Sequence, residues 1–114
     1  MKTTKKLILA ILCACSMTLS AYAQQAVNGD AMVAYAIDFL GVPYVEHTLD
    51  LEGPEELVLN CDEMDCTTFV EYVLAEALCP VVDGDISESE FAQNVVNIRY
   101  RDGKINGYTS RLHY

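Results

Sequence analysis

The residue pattern predicts an α+β arrangement of three helices and one β-hairpin, and three observations carry that reading. Apolar residues recur at helical spacing in three separate segments. Each segment opens on a polar capping residue. An Asp-Gly pair, Asp102-Gly103, follows the third segment between residues of strand character.

Taken in order, the chain opens on a segment that does not belong to the folded domain. Lys2, Lys5 and Lys6 precede a largely apolar run over 7–19, and Ala21-Tyr22-Ala23 supplies small residues before Gln24. This is the pattern of a secretory signal peptide over 1–23; the apolar run is too short to span a membrane. Cleavage before Cys15, leaving a lipid-anchored cysteine, ranks second because it would shorten the apolar core. The mature chain, 24–114, is expected in the periplasm or outside the cell, and it is long enough for one small domain.

The first helix is expected from Asp30 as N-cap through Ala31, Val33, Ala34, Ile37 and Leu40, with Gly41 at its C-terminal end and Pro43 beyond. Val42 to Val45 reads as extended, because proline disfavours the helical region for its predecessor. An acidic loop follows around Gly53-Pro54, with a short strand expected over 56–60. The second helix is the clearest element. Cys66, Phe69, Val70, Val73, Leu74, Ala77 and Leu78 form a continuous apolar stripe, Asp65 fits the N-cap and Pro80 closes the far end. Ser87-Glu88-Ser89-Glu90 has the form of a capping box for a third helix with Phe91, Val95 and Ile98 on one face. Three helices and a hairpin leave the stripe of the second helix short of a sheet to cover it, so a domain cut off near Tyr114 is expected.

Charge narrows the partners. Beyond residue 23 the chain has four cations, Arg99, Arg101, Lys104 and Arg111, against seventeen acids, a net charge of −13. Nucleic acid and anionic membrane surfaces need a basic footprint that this chain lacks. The cations all fall between 99 and 111, so a basic patch for an anionic ligand can form only there; a few solubilising charges on a hairpin fit equally well.

Three cysteines follow the leader: Cys61, Cys66 and Cys79. Cys66 and Cys79 stand at opposite ends of one helix, about 20 Å apart at 1.5 Å per residue, too far for a disulfide. Cys61 is close enough in sequence to bridge to Cys66. Zinc is disfavoured because no second close pair answers Cys61 and Cys66, although His47 and His113 are further donors. A buried structural role suits Cys79 and also fits Cys66 on its apolar stripe. For Cys66 there is a rival. Open amides in a first helical turn, and the positive end of the helix dipole, favour a thiolate and can receive an oxyanion. The acids Asp62, Glu63 and Asp65 oppose it, so a base would be required.

The segment Asp65-Cys66-Thr67-Thr68-Phe69-Val70-Glu71 resembles the nucleophile motif of the NlpC-type papain-like cell-wall cysteine hydrolases. It is closest to their N-acetylmuramoyl-L-alanine amidase-like branch. Phe39 to Val45, then Ile98-Arg99-Tyr100-Arg101 with Gly103, and Ser110-Arg111-Leu112-His113-Tyr114 are similar to further blocks of that branch, in order. The resemblance implies a papain-like α+β fold, here an N-terminal helical portion lacking most of its antiparallel sheet. It implies hydrolysis of the amide between N-acetylmuramic acid and L-alanine in peptidoglycan fragments, through a thioester on Cys66 and without metal or organic cofactor. Tyr44, Arg111 and His113 then fall at substrate-contacting positions, with arginine suited to a muropeptide carboxylate. The family's catalytic histidine follows later on a strand; His113 belongs to the earlier block, and His47 reads as a solvated surface residue. Short of its base, the chain is expected to be inactive alone. The alternatives are a non-catalytic module that binds muropeptides or another anionic ligand, and the remnant of a disrupted gene.

Overall fold

Capped helices, a shared apolar core and a few long-range polar ties build the architecture. The computed structural model describes residues 27–112. The expected signal peptide, the alternative at Cys15, and His113 with Tyr114 lie outside the described residues. Helices α1 (Gly29–Asp38), α2 (Cys66–Ala77) and α3 (Glu88–Arg99) are joined by long loops, with a two-stranded sheet between α2 and α3. Strands β1 (Val81–Val82) and β2 (Asp85–Ile86) pair antiparallel, Val82 opposite Asp85. No described helix is long and apolar enough to cross a membrane.

Each helix start has its own chemistry. Asn28, not Asp30, caps α1: its side chain accepts from the Asp30 amide at 2.9 Å. The helix ends at Asp38, earlier than expected, and tight turns over 39–42 lead through Gly41 at φ +92°. Helix α2 begins as expected. Asp65 accepts from the Thr68 amide and Thr68 Oγ1 accepts from the Asp65 amide, both at 2.9 Å, a closed capping box. Ser87 does precede α3, but its hydroxyl bonds Ser89 Oγ at 2.8 Å instead of a helix amide, so the expected capping box does not form.

The expected hairpin at Asp102-Gly103 is a correction. Arg101–Gly103 is a turn of 3₁₀-helix, with Asp102 at φ 57°. The other Asp-Gly pair makes the hairpin. Asp83 and Gly84 both take positive φ, 55° and 90°, the geometry that a two-residue hairpin turn requires. The flanks decide between them. Val81-Val82 can pair with Asp85-Ile86, whereas Tyr100 pairs far along the chain with Arg111. The strand expected over 56–60 does not form either; that stretch is an irregular loop held by side chains.

The core lies between α2 and its two neighbours. Met64, Tyr72, Ala75 and Val95 are buried, with Phe39, Val42, Leu57, Phe69, Phe91 and Ile98 packed around them. Phe39 meets Phe69 edge-on at 6.2 Å, and Tyr72 meets Phe91 at 5.8 Å. Such pairs add about 0.5–1.5 kcal/mol beyond the area they bury. The expected stripe on α2 is only partly covered, and Val70 is 48% exposed. The most deeply buried line on α2 is instead Thr68, Glu71, Tyr72 and Ala75. A carboxylate belongs there because Arg99 of α3 meets it: Nε donates to Glu71 Oε2 at 2.8 Å, and Nη2 lies 2.7 Å from the same oxygen. Both side chains are 1% exposed. Arg99 Nη1 donates to the Val58 carbonyl at 2.7 Å, tying the acidic loop to both helices.

Candidate active site

The local backbone brings Tyr44 to Cys66. Pro43 holds the chain extended, and Tyr44 forms a parallel bridge with Met64. The Val45 amide donates to the Met64 carbonyl at 3.1 Å, and the Met64 amide donates to the Pro43 carbonyl at 3.2 Å. Two residues after Met64, Cys66 starts α2. Tyr44 and Cys66 therefore line one shallow, mostly apolar recess with Phe39, Val42, Met64, Phe69 and the acidic Asp65. Cys66 is exposed, which removes its reading as a buried core cysteine. The Tyr44 hydroxyl is held above its ordinary value by partial loss of hydration first, then by the neighbouring Cys66, Glu46 and Asp65.

The first turn of α2 leaves donors open. The Asp65 side chain takes the Thr68 amide and the Asp65 carbonyl takes the Phe69 amide at 3.0 Å. Among the described residues the amides of Cys66 and Thr67, the first two of α2, have no acceptor.

A second, polar groove adjoins the same helix start. Asp65 and Thr67 form part of its wall, with His47, Asp50, Tyr108 and Arg111 among the others. Arg111 is fixed there by a fork onto Glu55, Nε to Oε1 at 2.7 Å and Nη2 to Oε2 at 2.9 Å. Its Nη2 also donates to the Leu49 carbonyl at 2.8 Å, and its guanidinium lies 5.0 Å from the Tyr108 ring centroid. Glu55 accepts from the Tyr100 hydroxyl at 2.7 Å as well. The Arg111 bond, opposed by burial, holds the Glu55 carboxyl below its ordinary value. Glu55 had no signal in the sequence, because its partners lie about fifty residues away. His47 is exposed and pairs through Nδ1 with Asp50 Oδ2 at 2.9 Å.

The other cysteines separate from Cys66. All three thiols are free. Cys61 is exposed, and partial loss of hydration raises its thiol, with Glu76 and then Asp62 adding to the effect. Cys79 is buried, donates to the Ala75 carbonyl at 3.2 Å, and is raised mainly by burial. Among the described residues no group of three or more His, Cys, Asp or Glu is placed to hold a metal.

An exposed cysteine thus opens a helix beside a tyrosine-lined recess. The AmiA-like family model, described as N-acetylmuramoyl-L-alanine amidase-like, matches residues 34–114, and the chain belongs to that family. It is similar to the crystal structure of an N-acetylmuramoyl-L-alanine amidase from Bacteroides uniformis, at 69% identity and a TM-score of 0.72. That match covers 75% of this chain and 37% of that one. A second B. uniformis amidase structure matches at 66% identity and TM-score 0.71, over 75% of this chain and 35% of that one. A Bacteroides fragilis protein, provisionally named a xylanase, matches at 56% identity and TM-score 0.67, over 71% and 34%. The chain thus spans about a third of the length of these relatives. No curated protein matches.

Proposed function

We propose that this chain is the nucleophile-bearing portion of an exported cysteine amidase that cleaves the bond between N-acetylmuramic acid and L-alanine in peptidoglycan fragments. One observation carries the reading: the sulfur of Cys66 is open to solvent at the first turn of α2, beside Tyr44 and two uncommitted amides. The Cys66 thiolate attacks the carbonyl carbon, and the amides of Cys66 and Thr67 receive the oxyanion. The carbon–nitrogen bond breaks, the L-alanyl amine leaves with a proton, and a thioester remains. Water then hydrolyses the thioester, releasing the muramic acid carboxylate and restoring the thiol. The base belongs to the part of the relatives' length that lies outside 1–114, in a papain-like sheet, and residues 1–23 direct export. Tyr44 contacts the substrate, Arg111 borders it from the polar groove, and His113 is assigned to it by the family resemblance alone.

A glycoside-hydrolase reading, prompted by the B. fragilis name, needs two free carboxylates facing a cleft. Near Cys66 the Asp65 carboxylate is committed to Thr68, while Glu55 and Glu71 are held by arginines. The cysteine reading is the better supported.

The test is a chimaera in which this chain replaces the matching third of the B. uniformis amidase. The chimaera is expected to release L-alanyl peptide from muropeptide, and Cys66→Ala to lower the rate by about a thousandfold or more. The chain alone is expected to show no release above its Cys66→Ala form. Undiminished release by the mutated chimaera would overturn the reading.

A further inference from the structure

The four cations beyond residue 23 divide into two kinds. Arg99 and Arg111 are consumed inside the protein by Glu71 and Glu55. Arg101 and Lys104 are exposed and form no ion pair among the described residues. Both line one recess on the C-terminal segment, together with Asp102, Asn106, Thr109 and Ser110. Asp102 has no cationic partner within 4.0 Å, although two cations share its recess. Opposite charges face one space without neutralising each other.

The walls of that space are fixed in advance. The Gly103 amide donates to the Tyr100 carbonyl at 3.0 Å and the Lys104 amide to the Arg101 carbonyl at 3.2 Å. Ser110 Oγ accepts from the Asn106 amide at 3.0 Å and donates to the Gly107 carbonyl at 2.7 Å, which closes the other side. On this held backbone the recess presents the exposed side chains of two cations, one carboxylate and the neutral donors of Asn106 and Thr109. A simple anion would meet Asp102 and be repelled; a ligand with both charges would satisfy all three groups.

We propose that this recess binds the zwitterionic end of an amino acid or short peptide, its carboxylate on Arg101 and Lys104 and its ammonium on Asp102. No residue lines both this recess and the one at Cys66, so the proposal does not rest on the amidase reading.

Backbone amide shifts of the whole chain, titrated with alanine, N-acetylalanine, alaninamide and inorganic phosphate, test it. Alanine is expected to shift amides over 101–110 and to saturate at concentrations about tenfold below the other three, the difference worth one charge-assisted contact. Asp102→Asn should bring alanine to the level of N-acetylalanine, and Lys104→Gln should weaken both. These side chains are exposed, so the circular dichroism of the variants should match the parent. Equal saturation by phosphate, an unchanged alanine affinity in Asp102→Asn, or no shift with alanine would each overturn the proposal. The same titration on Cys66→Ala should give the parent result.

Discussion

Glu71 is the residue where local and global demands conflict most. An acid in the middle of a helix normally faces water, yet Glu71 is 1% exposed and depends on a guanidinium 28 positions away. Removing one partner of a buried ion pair strands the other charge, at about 3–5 kcal/mol. Glu71→Ala is expected to lower unfolding stability by that amount in urea titrations, against a loss of under about 1 kcal/mol if the pair were solvated. The same logic explains why the residues lying deepest on α2 could not be read from its pattern. A helical stripe announces apolar burial, but nothing near Glu71 announces Arg99. Asp65 was legible, because a capping residue acts on an amide three positions away. Cys66 was legible as a candidate for the same reason, since only its position in the first turn was needed. Its exposure was not, because that depends on how Phe39 and Tyr44 fold across.

At the scale of elements, the two Asp-Gly pairs show where turn chemistry stops being sufficient. Both suit a tight reversal; only Asp83-Gly84 has flanks free to pair with each other. At 102–103 the flank Tyr100 is claimed by Arg111, and the Arg99 carbonyl accepts from the Leu112 amide at 2.7 Å. That claim fastens the acidic loop as well, through Arg111, Glu55 and Tyr100. The Arg111 bond lowers the Glu55 carboxyl against the opposing effect of burial. A carboxyl lowered by folding stabilises the folded state above its unfolded value, here near 4.5, and that contribution vanishes as pH falls through the lower folded value. Acid titration of stability is therefore expected to show a loss beginning near pH 4.5 and continuing below it. Glu55→Gln should flatten that portion of the curve. A variant whose acid profile matched the parent would show that the fork adds no pH-dependent stability.

For the whole molecule, the dominant fact is the segregation of charge. From Gln24 to Ile98 there is no lysine or arginine, and the cations that follow are divided between holding the fold and facing solvent. The sequence located this cluster correctly but could not divide it, because the division depends on contacts with Glu55 and Glu71 made across the fold. The matched segment makes up only 37% of the B. uniformis amidase, so the chimaera is the setting in which its remaining contacts can be measured.

That division has a proteolytic consequence. Trypsin cuts only after lysine and arginine, so past residue 23 it has four peptide bonds to choose from. In the folded protein the bonds after Arg99 and Arg111 are shielded, with side chains 1% and 11% exposed. Brief digestion should nick the chain after Arg101 or Lys104 and leave one long tryptic fragment ending there. Early scission after Arg99 would reveal that its clamp on Glu71 opens in solution.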